Sequence, residues 1–170
     1  MLQYIDITPL SRLDEVLRVS RASAVVSLMS PGTPAPLLQR PALCLQFNDI
    51  AEERPGLIAP DRGHVTALLD FAMLHASAGS LIIHCYAGIS RSPAAAFIVA
   101  AALWPAEDEY ALALALRQAS ASATPNPRLV ALADAYLGRN GRMIEAIRAI
   151  GRGADAYEGE CFRLERFPLR

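Results

Sequence analysis

A chain of 170 residues is long enough to bury a sizeable core in one domain, and a composition of 53% hydrophobic and 19% charged residues excludes a disordered chain. The formal net charge of −1 offers no broad electrostatic case for binding nucleic acid or a membrane surface. In chain order, short apolar runs alternate with stretches of helical periodicity. That predicts an α/β fold with a central, mostly parallel sheet of about four or five strands flanked by helices. Residues 4–7 read as an edge strand, and 11–19 as a helix with Leu13, Val16 and Leu17 on one face. Ala24-Val25-Val26-Ser27-Leu28-Met29 reads as an inner strand, closed by Ser30-Pro31-Gly32. The proline-rich segment 31–41 is a loop, and 42–47 form the next strand, with Asn48 and Asp49 at its end. A helix is then expected from about Asp61 to Ala76, because Val65, Leu68, Leu69, Ala72 and Met73 recur at helical spacing.

The next apolar strand, Leu81-Ile82-Ile83-His84, runs into Cys85-Tyr86-Ala87-Gly88-Ile89-Ser90-Arg91-Ser92-Pro93. This arrangement offers a nucleophile, a set of backbone N–H donors and a guanidinium to one tetrahedral oxyanion. A thiol attacks well only once ionised. Three features favour the thiolate: loop amides forming an anion nest, the positive end of the following helix, and the charge of Arg91. The same features bind phosphate, so Cys85, Tyr86, Ala87, Gly88, Ile89, Ser90 and Arg91 are the expected phosphate-binding residues. Gly88 lets the backbone curl through a conformation that a Cβ resists. Arg91 can grip two phosphate oxygens with its planar fork, and Pro93 suits a first helical turn. Ser92 can donate to the Cys85 sulfur and help it leave, while His84 orients the loop. Either Cys85 or Arg91 alone is more often structural; in this order, between a strand and a helix, the pattern is specific.

The form His-Cys-x-Ala-Gly-x-Ser-Arg-Ser-Pro resembles the signature of the cysteine-dependent protein tyrosine phosphatase superfamily, most of all its dual-specificity branch. The resemblance spans about residues 24–138, and a bacterial source is expected, since all 16 basic residues are arginine, as in a GC-rich genome. It implies a phosphatase-like fold and hydrolysis of phosphotyrosine, with phosphoserine and phosphothreonine, through a cysteinyl-phosphate. The substrate would be a phosphorylated protein or a small phosphoester, with no metal and no organic cofactor. The lack of lysine departs from phosphatases that act on phosphoinositides. The leaving oxygen needs a proton, and the resemblance implies an aspartate on an upstream loop as its donor. Asp49 is chosen, because functional groups gather beyond the carboxyl ends of parallel strands, where Cys85 also lies. Asp61 remains the alternative, although a helix N-cap explains it fully; Glu52 and Glu53 are fallbacks.

After the loop the chain reads as helical throughout. Segments are expected at 93–103, from Pro105-Ala106-Glu107-Asp108-Glu109 onward, from Asn126-Pro127 to Gly138, and at 142–150. Asn126 is a capping residue that could also support the phosphate loop. The whole chain, 1–170, is expected to be one domain, with the tail 151–170 docking Phe162, Leu164 and Phe167 on the core. Met1-Leu2-Gln3-Tyr4 has no leader character, 93–104 is too short to span a bilayer, and a catalytic thiolate favours a reducing compartment, so a cytoplasmic setting is expected. Cys44, Cys85 and Cys161 suggest no disulfide framework, although Cys44 could pair with Cys85 if their strands were neighbours. Two other functions fit the same residues. One is a module that recognises phosphorylated partners without turnover; the other is a sulfurtransferase or arsenate reductase, which also uses a cysteine-led anion loop.

Overall fold

In the computed structural model, which describes residues 1–75 and 79–167, five strands and six α-helices form a mixed α/β structure. The strands are β1 (Tyr4–Pro9), β2 (Ala24–Met29), β3 (Ala42–Gln46), β4 (Ser80–Cys85) and β5 (Phe162–Glu165), in the sheet order β3-β2-β4-β1-β5. The first four run parallel, and β5 pairs antiparallel with β1. The inner strands β2 and β4 are buried on both faces, which explains why they read as nearly unbroken apolar runs.

Strand alternation divides that burial between two sides. Val25 and Ile82 face a small cluster with Leu13 and Val16 of α1 (Leu13–Val19), which follows a 3-10 turn at Leu10–Arg12. Ile5, Ile7, Val26, Leu28, Leu81, Ile83 and Cys85 belong to the larger core. This second side carries α2 (Arg62–His75), α3 (Arg91–Leu103), α4 (Glu109–Ala119), α5 (Pro127–Tyr136) and α6 (Arg142–Ile150). Every residue of α3 from Arg91 to Ala101 is buried, so the helix is apolar all round and sits inside the molecule. Its end is pinned by fully buried Trp104, whose indole N–H donates to the Leu2 carbonyl at 2.9 Å. Trp104 thus buries its large ring without leaving its polar tip unsatisfied.

Several sequence expectations change in detail. Residues 4–7 are not an edge strand, because β5 covers the outer side of β1. The C-terminal half is helical only as far as Ile150, and β5 follows it. Phe162 and Leu164 are buried while Arg163 and Glu165 are exposed, the period of a half-buried strand. Arg163 secures the pair by donating to buried Asp6 at 2.7 Å. Ala76, the expected last residue of α2, and residues 168–170 of the tail lie outside the described residues. Among the described residues, no helix is long and apolar enough to cross a membrane.

Candidate active site

β4 ends at Cys85 and α3 begins at Arg91, so residues 86–90 must reverse the chain within one short loop. Gly88 makes this possible with φ +72°, and a Cβ there would lie 2.9 Å from the Pro9 nitrogen. Glycine is required on both grounds. The loop carbonyls are held on the outside by other segments: Tyr86 accepts from Leu10 N–H at 3.1 Å, and Ile89 from Thr124 N–H at 2.7 Å. In a planar trans peptide, an outward carbonyl turns the next N–H the opposite way. The amides of Ala87 and Ser90 therefore face away from those outer partners.

Cys85 is 2% exposed, and its Sγ has two hydrogen-bonding neighbours. Gly88 N–H donates to it at 3.2 Å, and the fully buried Ser92 hydroxyl lies 3.1 Å away. Arg91 is 5% exposed; its Nη1 donates to the Phe47 carbonyl at 3.0 Å and to Ser30 Oγ at 3.3 Å. Its Nε is buried with no hydrogen-bond partner among the described residues, so one donor of a buried guanidinium is available to an anion. His84 is fully buried and its Nε2 lies 2.7 Å from Ser27 Oγ, its register partner on β2. Burial pushes its pKa down to about 4, with the Cys85 backbone opposing and the charge of Arg91 adding to the shift. His84 is thus neutral at pH 7 and tied into the sheet.

Asp49 lies on the exposed loop after β3 and still reaches the Cys85 loop. Its Oδ1 accepts from Ser90 Oγ at 2.7 Å and from Asn126 Nδ2 at 2.8 Å. Asn126 is 3% exposed; its Oδ1 caps α5 by accepting from Leu129 N–H at 3.0 Å, while its own N–H donates to the Ser90 carbonyl at 3.3 Å. One residue thereby joins the Asp49 loop and a helix start through its side chain, and the Cys85 loop through its backbone N–H. A cleft of about 330 Å³ opens there, lined by Asp49, Ser90, Thr124 and Asn126 and walled on one side by residues of the tail.

The other acids are placed elsewhere. Asp61 caps α2, accepting from His64 N–H at 3.0 Å while His64 Nδ1 accepts from Asp61 N–H at 3.1 Å. Glu53 pairs with Arg128 at 2.7 Å, and Glu52 is exposed. A larger cleft of about 470 Å³ runs over Glu53, Arg54 and Asp61, and no residue of 85–91 lines it. Cys44 lies on β3, and β2 separates β3 from β4, so the strands of Cys44 and Cys85 are not neighbours and the condition for their pairing is absent. Partial burial raises the Cys44 pKa, which further disfavours its ionisation. Among the described residues, no group of three or more His, Cys, Asp and Glu side chains could hold a metal ion. Ser27, Ser30 and the Phe47 carbonyl, which hold His84 and Arg91, were not expected from the sequence; small hydroxyls on strand ends carry no signal of their own.

No protein-family model matches this sequence, and no curated protein sequence matches it. Solved structures do. DUSP15 superposes with a TM-score of 0.59 at 19% identity, covering 86% of this chain and 89% of its own. The human tyrosine phosphatase-like serine/threonine/tyrosine-interacting protein matches with a TM-score of 0.55 at 17% identity, over 78% of this chain and 87% of its own. Human DUSP28 matches with a TM-score of 0.52 at 18% identity, over 86% and 95%. The chain has the fold of the dual-specificity branch of the protein tyrosine phosphatase superfamily.

Proposed function

We propose that this chain is a phosphoric monoester hydrolase, acting on phosphotyrosine and on phosphoserine or phosphothreonine of proteins through a cysteinyl-phosphate. The observation that carries the reading is the convergence on one loop of Cys85 Sγ, the Ser92 hydroxyl 3.1 Å from it, buried Arg91, and Asp49 hydrogen-bonded to Ser90 at 2.7 Å. In the first step the Cys85 thiolate attacks phosphorus, an S–P bond forms and the bond to the leaving oxygen breaks. Asp49, as the carboxylic acid, gives that oxygen its proton. In the second step the Asp49 carboxylate takes a proton from water, whose oxygen attacks phosphorus and displaces sulfur. Orthophosphate leaves, and the returning thiolate is met by Ser92 and the Gly88 amide. Arg91 and the loop amides hold the phosphoryl oxygens throughout.

Tyr86, on the loop itself, is 63% exposed, and Asp49 is exposed as well. An open rim of this kind fits a phosphorylated side chain on a protein better than a small buried metabolite. Cys85→Ser should abolish hydrolysis of an aryl phosphate while retaining orthovanadate binding, and full activity in that variant would overturn the assignment. The second reading is a module that binds phosphorylated partners without turnover, and one of the similar structures is named as phosphatase-like and interacting. Anion binding by the wild-type protein with no turnover of any aryl phosphate would favour it. Sulfur transfer from thiosulfate would instead favour a sulfurtransferase.

A further inference from the structure

The tail beyond α6 lies outside residues 24–138, which carry the sequence resemblance to phosphatases, yet it touches the phosphate loop. Gly159 N–H donates to the Ala87 carbonyl at 2.8 Å. The other end of that same peptide unit is the Gly88 N–H, which donates to Cys85 Sγ at 3.2 Å. This peptide is trans, as are the others among the described residues, so the carbonyl and the N–H of the unit point in opposite directions. A donor in the tail therefore fixes, from outside, the rotation of the amide that meets the nucleophile. Gly159 also sits close to the loop: a Cβ there would lie 3.0 Å from the Gly88 carbonyl oxygen and 3.4 Å from that of Ala87, so a side chain would press on the loop backbone.

The tail is fastened on both sides of this contact. Gly151 C=O accepts from Arg117 at 2.7 Å, Ala154 N–H donates to Ala121 C=O at 2.9 Å, and Gly153 N–H donates to Thr124 Oγ1 at 3.0 Å. Thr124 is the residue whose own N–H holds the Ile89 carbonyl at 2.7 Å, a second and indirect grip on the loop. Ser11 Oγ donates to Glu158, directly before Gly159, at 2.8 Å, and on the far side β5 locks into the sheet.

We propose that residues 151–160 form a strap that sets the phosphate loop, and that Gly159 is a positioning residue which holds the Gly88 amide on the Cys85 sulfur. The inference rests on Cys85 as the nucleophile. A hydrogen bond to an ionised sulfur is stronger than one to a thiol, so releasing the amide penalises the thiolate selectively. By reciprocity, an anion seated in the loop should tighten the strap.

The test compares wild type with Gly159→Pro, which lacks the donor, and with Thr124→Val, which keeps its N–H but loses the tie to Gly153. After folding is checked by thermal melting, iodoacetamide alkylation of Cys85 is followed against pH by mass spectrometry. Gly159→Pro should slow alkylation roughly tenfold at about pH 6 and move the profile to higher pH. Thr124→Val should show a smaller shift. With an aryl phosphate, Gly159→Pro should lower kcat more than it raises KM. In wild type, bound orthovanadate should slow hydrogen exchange across 151–160. A folded Gly159→Pro with an unchanged alkylation profile overturns the inference, as does strap exchange indifferent to bound vanadate. If Gly159→Pro does not fold, Gly159→Ala, whose Cβ presses on the Gly88 carbonyl, must shift the profile in the same direction or the inference fails. Wild type without turnover would sink the phosphatase reading, and the alkylation comparison would still decide the strap.

Discussion

Residues 80–103 and residues 151–165 meet at the same loop, and they are encoded in opposite ways. The first is strand, loop and helix in unbroken succession: Cys85 at the end of β4, Gly88 at φ +72°, Arg91 and Ser92 at the start of α3. The second has no motif, and its contacts with Ala87, Ser11, Thr124 and β1 all lie far away in sequence. Cys85, Gly88, Arg91 and Ser92 come as one local unit, while the orientation of the loop's peptide planes depends on remote backbone donors. Chemistry can therefore be written in a dozen residues, but the precision of that chemistry is spread over the chain.

The largest test of the local half is Arg91→Lys. Lysine cannot reproduce a fork that donates to Phe47 and Ser30 while keeping a further donor free, and turnover should fall about a thousandfold. A loss below tenfold, read from kcat/KM on an aryl phosphate, would mean that remote amides do more of the binding than this contrast allows. Next comes Asp49→Asn, which can keep its place beside Ser90 and Asn126 without a proton to give. Its kcat should drop on the order of a hundredfold for a poor alkyl leaving group and far less for an activated aryl one. Equal losses on both substrates would make Asp49 a structural tie between the loops.

The smallest effect at neutral pH concerns His84. Its folded pKa, about 4, lies below the ordinary 6.5, so between these values the unfolded chain binds a proton that the folded one refuses. The stability contributed by neutral His84 is complete above pH 6.5 and is lost as pH falls toward 4, by about 3 kcal/mol in all. Urea denaturation of wild type and His84→Asn at a series of pH values should show this loss in the wild type alone. Parallel curves would remove the histidine from the account of acid sensitivity.

The fold class, strand sequence and helix order were legible because β2 and β4 are long apolar runs, α2 shows apolar residues at helical spacing and α5 opens on Asn126-Pro127. The Asn126 cap was readable as local chemistry, since its side chain meets an N–H three residues on, whereas the helix expected from Pro105 begins only at Glu109, with Asp108 as its cap. Strand order was not, because no residue of β3 announces that β2 will stand between it and β4; the idea of a Cys44–Cys85 pair foundered there. β5 escaped notice because its four residues hold only two inward side chains, Phe162 and Leu164, after a run of helices. Reading β1 as an edge was the same oversight seen from the other side. Within the site, the residue types were visible in the motif, but Ser27, Ser30 and Gly159 act through contacts that only folding creates.

β5 has one more effect, on how the protein meets copies of itself. Without it, the outer side of β1 would present the unpaired backbone of Tyr4, Ile5, Asp6 and Ile7, a ready template for a strand from another molecule. β5 moves that edge outward to a strand of only four residues, with the charged Arg163 and Glu165 on exposed positions. Proteolytic removal of the tail would thus exchange a short, charged edge for the longer backbone edge of β1.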